Sequence, residues 1–158
     1  MAQTNEPLLS VKGLKQYFPV SKKFTVRAVD NISFDIYPGE TYGLVGESGS
    51  GKSTTGRSII RLYDPTEGTI LFNGEDISKK LTAKQEKMLR SDMQMVFQDP
   101  LSSFSPRMKI GTYLTEPRRN YDKVSKQQAF AEAEQLLEKV GLPRDFLVRY
   151  PHELSGGQ

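Results

Sequence analysis

Three glycines, a lysine and a serine between positions 46 and 53 are spaced to hold phosphate. Gly46-Glu47-Ser48-Gly49-Ser50-Gly51-Lys52-Ser53 follows the pattern G-x-x-x-x-G-K-[ST]. Glycines let consecutive backbone N–H groups turn inward around anionic oxygens. A helix that starts just after the loop points its positive end at the same oxygens. In this pattern Lys52 reaches the β- and γ-phosphates of a nucleotide, and the Ser53 hydroxyl is placed to ligate Mg²⁺. Thr54 offers a further hydroxyl for the α-phosphate. Glu47 and Ser48 shape the loop, because backbone amides do the holding there. A second cluster, Leu154-Ser155-Gly156-Gly157-Gln158, reads on its own as a Ser-Gly-Gly loop. The single histidine, His152, reads as a partly exposed loop residue rather than a base or ligand.

The elements that must position these residues are legible from patterning. Leu8 to Phe18 and Arg27 to Tyr37 read as strands, with Lys22-Lys23 in a hairpin loop between them and a turn at Pro38-Gly39. Thr41 to Val45 is a short apolar run that predicts a strand leading into the glycine loop. Ser53 to Leu62 predicts a helix leaving it. Gly68 to Phe72 reads as a strand ending in an Asn73-Gly74 turn. Thr82 with Gln85 predicts a reciprocally capped helix to about Arg90. The run Lys79-Lys80 to Arg90 reads as a solvated face. Met93 to Phe97 predicts a buried strand. Ser125 with Gln128 opens another helix, with Ala129, Ala133, Leu136, Leu137 and Val140 as its buried stripe and Gly141 and Pro143 as its stop.

Composition narrows the chemistry. With 158 residues, 36% hydrophobic and 26% charged, the chain can build a packed core. Zero cysteines exclude a disulfide scaffold, a cysteine-ligated zinc site and a thiol nucleophile. A net charge of +3 gives no argument for a nucleic-acid partner. The polar start, Met1 to Pro7, has no apolar signal core. No apolar run approaches the roughly 18 residues of a membrane span.

The order and spacing of these motifs resemble the nucleotide-binding subunits of ABC transporters over nearly the whole chain. Gly46–Ser53 looks like Walker A. Gln98, in Val96-Phe97-Gln98-Asp99-Pro100, looks like the Q-loop, and Leu154–Gln158 looks like the signature motif. The run Val45 to Thr54, Phe97-Gln98-Asp99-Pro100 with Ser105-Pro106-Arg107, and Tyr150-Pro151-His152-Glu153 before the signature resemble the oligopeptide/dipeptide/nickel branch.

The resemblance implies an α/β fold of the P-loop NTPase type, with an N-terminal antiparallel β-subdomain and a helical subdomain. Residues 1–100 would form the β-subdomain with part of the P-loop core, and 101–158 the helical subdomain. ATP with Mg²⁺ is the implied cofactor pair. Gly46, Glu47, Ser48, Gly49, Ser50, Gly51, Lys52, Ser53 and Thr54 would surround the phosphates. Tyr17 would stack on adenine, with Phe18 as the alternative ring. Ser53 and Gln98 would meet the metal, and Gln98 would act as a hinge sensing a membrane partner. Ser155, Gly156 and Gly157 would grip the γ-phosphate of ATP on a second, head-to-tail nucleotide-binding subunit, identical or paralogous. Further implied partners are transmembrane permease subunits, met near Arg107 to Arg119, and indirectly a substrate-binding protein. The place would be peripheral, on the cytoplasmic face of the plasma (inner) membrane.

In that family the signature opens a helix, and Walker B, a catalytic glutamate, the D-loop and a switch histidine follow. None occurs in these 158 residues. The expectation is therefore a piece truncated before Walker B, without catalytic residues of its own, that binds ATP and does not hydrolyse it. Its parent would be an ATPase driving import of peptides or nickel. Three rivals stand beside this. One is a soluble, non-transport ABC ATPase of translation or DNA repair. Another is a phosphotransferase or GTPase built on the same loop. The third is a non-catalytic nucleotide-binding module.

Overall fold

The computed structural model describes residues 6–99 and 103–158. The first five residues of the polar start, Pro100 of the Gln98 segment, and the expected boundary between 100 and 101 lie outside them. The chain folds as two compact units that divide between Gln94 and Met95.

The first unit is built on a long hairpin. Strands β1 (Leu9–Ser21) and β2 (Phe24–Ile36) pair antiparallel from Leu9↔Ile36 to Ser21↔Phe24, and Lys22-Lys23 form the turn. β3 (Glu67–Phe72) pairs antiparallel with β1, and the short β4 (Glu75–Asp76) folds back on β3 through the Asn73-Gly74 turn. The sheet order is β2-β1-β3-β4. The apolar positions of the sheet meet Ile77 and Leu89 in one core: Leu9, Val11, Leu14, Val29, Ile70 and Phe72 are all buried there. Helix α1 (Lys52–Ile59) leaves the glycine loop. Helix α2 (Ala83–Asp92) opens with the expected reciprocal Thr82–Gln85 cap.

Arg61 ties α1's far end to the β4–α2 connection. Its guanidinium is 3% exposed and donates to the carbonyls of Ile77 and Lys79 and to Asp64. A buried cation needs this many acceptors to offset its lost hydration.

The second unit is helical. Helices α3 (Ile110–Tyr121) and α4 (Lys126–Lys139) pack with a 3₁₀ turn, Arg144–Val148, around Ala133, Leu137, Phe146 and Leu147. Arg118 on α3 grips Glu132 on α4 through two nitrogens, at 2.6 and 3.2 Å. Ser125 caps α4 through the Gln128 amide.

Three expectations are corrected. Thr41 to Val45 and Met93 to Phe97 form no strands. A strand exists only through a neighbour's ladder, and neither segment pairs with another among the described residues; Val45 is 92% and Val96 94% exposed. The stripe on α4 is narrower than its apolar pattern: Ala129, Ala133 and Leu137 are buried, whereas Leu136 and Val140 are exposed. Leu136 stands about 100° around the helix from Leu137, so one packed neighbour cannot cover both.

Candidate phosphate-binding loop and its aromatic flank

The loop from Gly46 to Gly51 closes on itself before α1 begins. The Ser50 amide donates to the Glu47 carbonyl at 3.2 Å. Lys52 curls back over the loop, and its ammonium donates to the carbonyls of Gly46 at 2.8 Å and Glu47 at 2.5 Å, with Ser50 Oγ at 3.3 Å. All three of its protons are directed at the loop, so the charge is held above the amides rather than in free solvent. Glu47, Ser48 and Gly49 are exposed along the rim.

Gly51 is needed twice. Its φ of +93° lies in the left-handed region, and a Cβ there would come 2.2 Å from the Ala28 carbonyl oxygen. The loop thus ends pressed against β2. At Gly46 an added Cβ would meet Ser50 Oγ at 2.6 Å and fill the loop's interior.

Helix α1 starts with no side-chain cap and no acidic residue in its first turn. Thr82 and Ser125 cap α2 and α4, whereas α3 likewise starts uncapped, at Lys109. The opening amides of α1 have no acceptor within the helix, and the helix dipole adds positive potential there. An uncapped start, an ammonium over the loop and a left-handed Gly51 with no room for a Cβ together fit a bound polyphosphate. Ser53, exposed beside them, offers a hydroxyl to a divalent cation, and Thr54 is half-buried next to it. Thr55 faces inward, its hydroxyl 3.0 Å from the Gly51 carbonyl.

Tyr17 lies in the same unit, on β1. Its hydroxyl donates to Asp30 Oδ1 at 2.5 Å, and the Arg27 guanidinium sits 5.4 Å from the ring centre. The hydrogen bond to Asp30 is the main reason the phenol titrates above its ordinary range; burial of the ring adds to it. Phe18, the alternative ring, packs edge-on against Tyr63 at 5.2 Å and is engaged there. Next to Tyr17, the buried Gln16 brings its Oε1 to 3.2 Å from the Ser58 hydroxyl of α1. β1 is thereby fastened to the helix that leaves the loop.

Asp30, Arg27 and Ala28 were not among the expected site residues. The signal for them is a break in β2's alternation. Ala28-Val29 are adjacent apolar residues and Asp30-Asn31 adjacent polar ones, where a regular strand would alternate.

The second unit holds Gln98 and the Ser155–Gly157 turn. Gln98 is exposed in a bend. Leu154 packs on the second core. Ser155 and Gln158 then close a tight turn, with Ser155 N donating to Gln158 Oε1 at 3.0 Å and Gln158 N to Ser155 O at 2.9 Å. Gly156 and Gly157 rim an apolar hollow of about 360 Å³ lined by Ile110, Leu114, Leu137 and Leu154. His152 is exposed, as expected, and its ring stacks on Tyr150 at 5.6 Å. Among the described residues no cluster of three or more histidine, aspartate or glutamate side chains could hold a metal, and no helix is long and apolar enough to cross a membrane.

Comparison with known proteins finds a family match for the chain. The ABC transporter family matches residues 29–158. The chain is 51% identical over 154 residues to the oligopeptide transport ATP-binding protein OppF of Bacillus subtilis (strain 168), covering 97% of this chain and 50% of that protein. It is 46% identical over 163 residues to the oligopeptide transport ATP-binding protein AppF of the same organism, covering 99% of this chain and 50% of that protein. The chain thus spans about half the length of the curated relatives it matches. Among solved structures, the ATP-binding cassette MJ0796, in a dimeric post-hydrolysis state bound to ADP and Pi, superposes with a TM-score of 0.82. That match has 25% identity and covers 95% of this chain and 64% of that one.

Proposed function

Because the chain belongs to the ABC transporter family, we propose that it carries the nucleotide-binding loop of an ATPase subunit that drives peptide import. The observation that carries this reading is the loop itself. Lys52 is folded over the carbonyls of Gly46 and Glu47, Gly51 is seated against β2, and α1 begins uncapped. Those are the features a polyphosphate needs: donors without competing acceptors, a cation, and close backbone approach.

ATP would lie with its phosphates on Gly46–Thr54. Lys52 would turn from the loop carbonyls to the β- and γ-phosphates, and the carbonyls it leaves lie exposed to water. Ser53 would hold Mg²⁺. The metal's contribution when bound is to neutralise charge on the phosphates. Tyr17 would stack on the adenine. Ser155, Gly156 and Gly157 would face the γ-phosphate of nucleotide held by a second subunit in a head-to-tail pair; the dimeric state of the MJ0796 cassette supports pairing as such. Closure of that pair would move transmembrane permease subunits, with the ATPase subunit peripheral on the cytoplasmic membrane face and a substrate-binding protein delivering cargo. The oligopeptide transport names of the relatives support peptides over nickel as that cargo.

Equilibrium binding of ATP to this chain tests the reading. Lys52→Ala is expected to weaken binding at least about tenfold, the loss of a charge-assisted contact. Unchanged affinity in that variant refutes the loop's role. For the parent protein, the same substitution is expected to stop uptake of labelled oligopeptide by cells while leaving subunit abundance intact.

A further inference from the structure

We propose that Asp30 is a positioning residue for nucleotide recognition: acting through the Tyr17 hydroxyl and together with Arg27, it fixes the ring on which the purine of a nucleoside triphosphate stacks. This rests on the nucleotide reading of the loop.

The geometry begins with β2's two irregularities. Gln16 pairs with Val29 but Tyr17 pairs with Arg27, so Ala28 is an extra residue. Leu14 pairs with Ile32 and Gln16 with Val29, so Asp30 and Asn31 together oppose Lys15 alone. Asn31 takes a φ of +59° to make that bend. Bulges re-aim side chains and increase local twist. Here they do three things. Asp30 is swung to reach the Tyr17 hydroxyl at 2.5 Å. Arg27 is brought over the Tyr17 ring, 3.8 Å from Asp30 Oδ2. The carbonyl of Ala28 is turned against Gly51, at the end of the phosphate loop.

One distorted stretch of five residues, 27–31, therefore touches both the aromatic and the loop. A nucleotide's base and phosphates are joined covalently through a linker of limited reach, so a ring that rotates or drifts weakens the stacking contact. Asp30 removes that freedom. Lys15, the neighbouring cation, is paired with Glu67 at 2.6 Å and acts on Asp30 and the Tyr17 phenol only through its field. Among the described residues no other aromatic ring stacks on Tyr17, so the phenol is not already spent on an internal aromatic pair.

Binding of ATP and of inorganic tripolyphosphate, measured side by side on this chain, tests the proposal. Tripolyphosphate has no base to stack. Asp30→Ala is expected to weaken ATP about three- to tenfold, the range of one lost hydrogen bond, and to leave tripolyphosphate affinity within twofold of the starting chain (about the scatter of such measurements). Tyr17→Phe, which keeps the ring and removes the hydroxyl, should match Asp30→Ala, and the double variant should bind ATP no more weakly than either. Asp30→Asn, which keeps an acceptor at the same place, should restore most of the affinity. Unchanged ATP binding in Asp30→Ala overturns the proposal. So does an equal loss of both ligands, which would place Asp30's effect in the fold or the loop. If the unsubstituted chain binds neither ligand, the loop reading fails first and the inference falls with it. Thermal melting of each variant separates a binding loss from failure to fold.

Discussion

Asp30 accepts a hydrogen bond that forms only while Tyr17 keeps its proton, so this pair has a pH signature. The phenol's folded value is raised above the ordinary value of about 10, first by the bond to Asp30 and then by burial. A raised value means that the stabilisation is fully present below about pH 10 and is lost as pH rises through the higher folded value. Ultraviolet titration of the tyrosinates should show a late component that is lost in Tyr17→Phe and shifts back toward the ordinary range in Asp30→Ala. A late phenol that persists in Tyr17→Phe would assign the signal elsewhere. Gly51 gives a residue-scale prediction of a different kind. An alanine there must keep a left-handed φ and also displace the Ala28 carbonyl. Gly51→Ala should cost about 2–4 kcal/mol in urea unfolding, combining strain and overpacking. Because the displaced strand segment also carries Arg27, ATP binding should fall further than stability does.

At the scale of elements, α4 separates what a cap, a core residue and an exposed apolar residue contribute. Ser125 supplies the cap through the Gln128 amide, so Ser125→Ala should cost about 1 kcal/mol. Leu137 is 4% exposed and Val140 69%. Leu137→Ala should therefore cost about 2–4 kcal/mol, and Val140→Ala less than about 0.5; denaturant midpoints of the three variants give the order directly. The same helix indicates how far sequence carries the fold. Its cap, length and stop are local properties and are legible in Ser125, Gln128 and Gly141. So are the hairpin turn at Lys22-Lys23 and the Thr82–Gln85 cap. Which of two adjacent leucines is buried depends on the neighbour's width, and alternation of polarity cannot give that. Thr41 to Val45 and Met93 to Phe97 look like strands because they are apolar and β-prone, yet strand formation depends on a ladder partner distant in sequence. The phosphate loop is legible because its spacing encodes its chemistry. The Asp30–Tyr17 contact is not, because it depends on two bulges whose consequences appear only once β1 and β2 are paired.

Taken whole, the molecule carries two cores and, outside them, several large apolar side chains in water. Leu14, Ile70 and Ile77 are fully buried in the first unit, and Leu137, Phe146 and Leu147 are buried in the second. Outside those cores Val20, Phe24, Val45, Val96, Val140 and Val148 are each more than half exposed. Single exposed apolar residues are ordinary. Val45 and Val96 differ because each stands at 92% exposure or more within a β-prone run that has no ladder partner among the described residues. Such segments combine a backbone without a ladder partner among the described residues with apolar side chains, the two requirements for intermolecular strand pairing. The chain should therefore self-associate as its concentration rises and should bind a hydrophobic dye in native buffer. Replacing both valines by serine should reduce association and dye signal together. It should leave the melting temperature within about 2 °C, since side chains this exposed contribute under about 0.5 kcal/mol each. ATP should still bind, because Lys52 and Gly51 are anchored by the loop's own carbonyls and by Ala28 rather than by Val45. Sedimentation velocity across a concentration series measures the association. A double variant that associates as strongly as the starting chain would move the cause from these two runs to the exposed apolar residues elsewhere, beginning with Val20 and Phe24 at the hairpin tip.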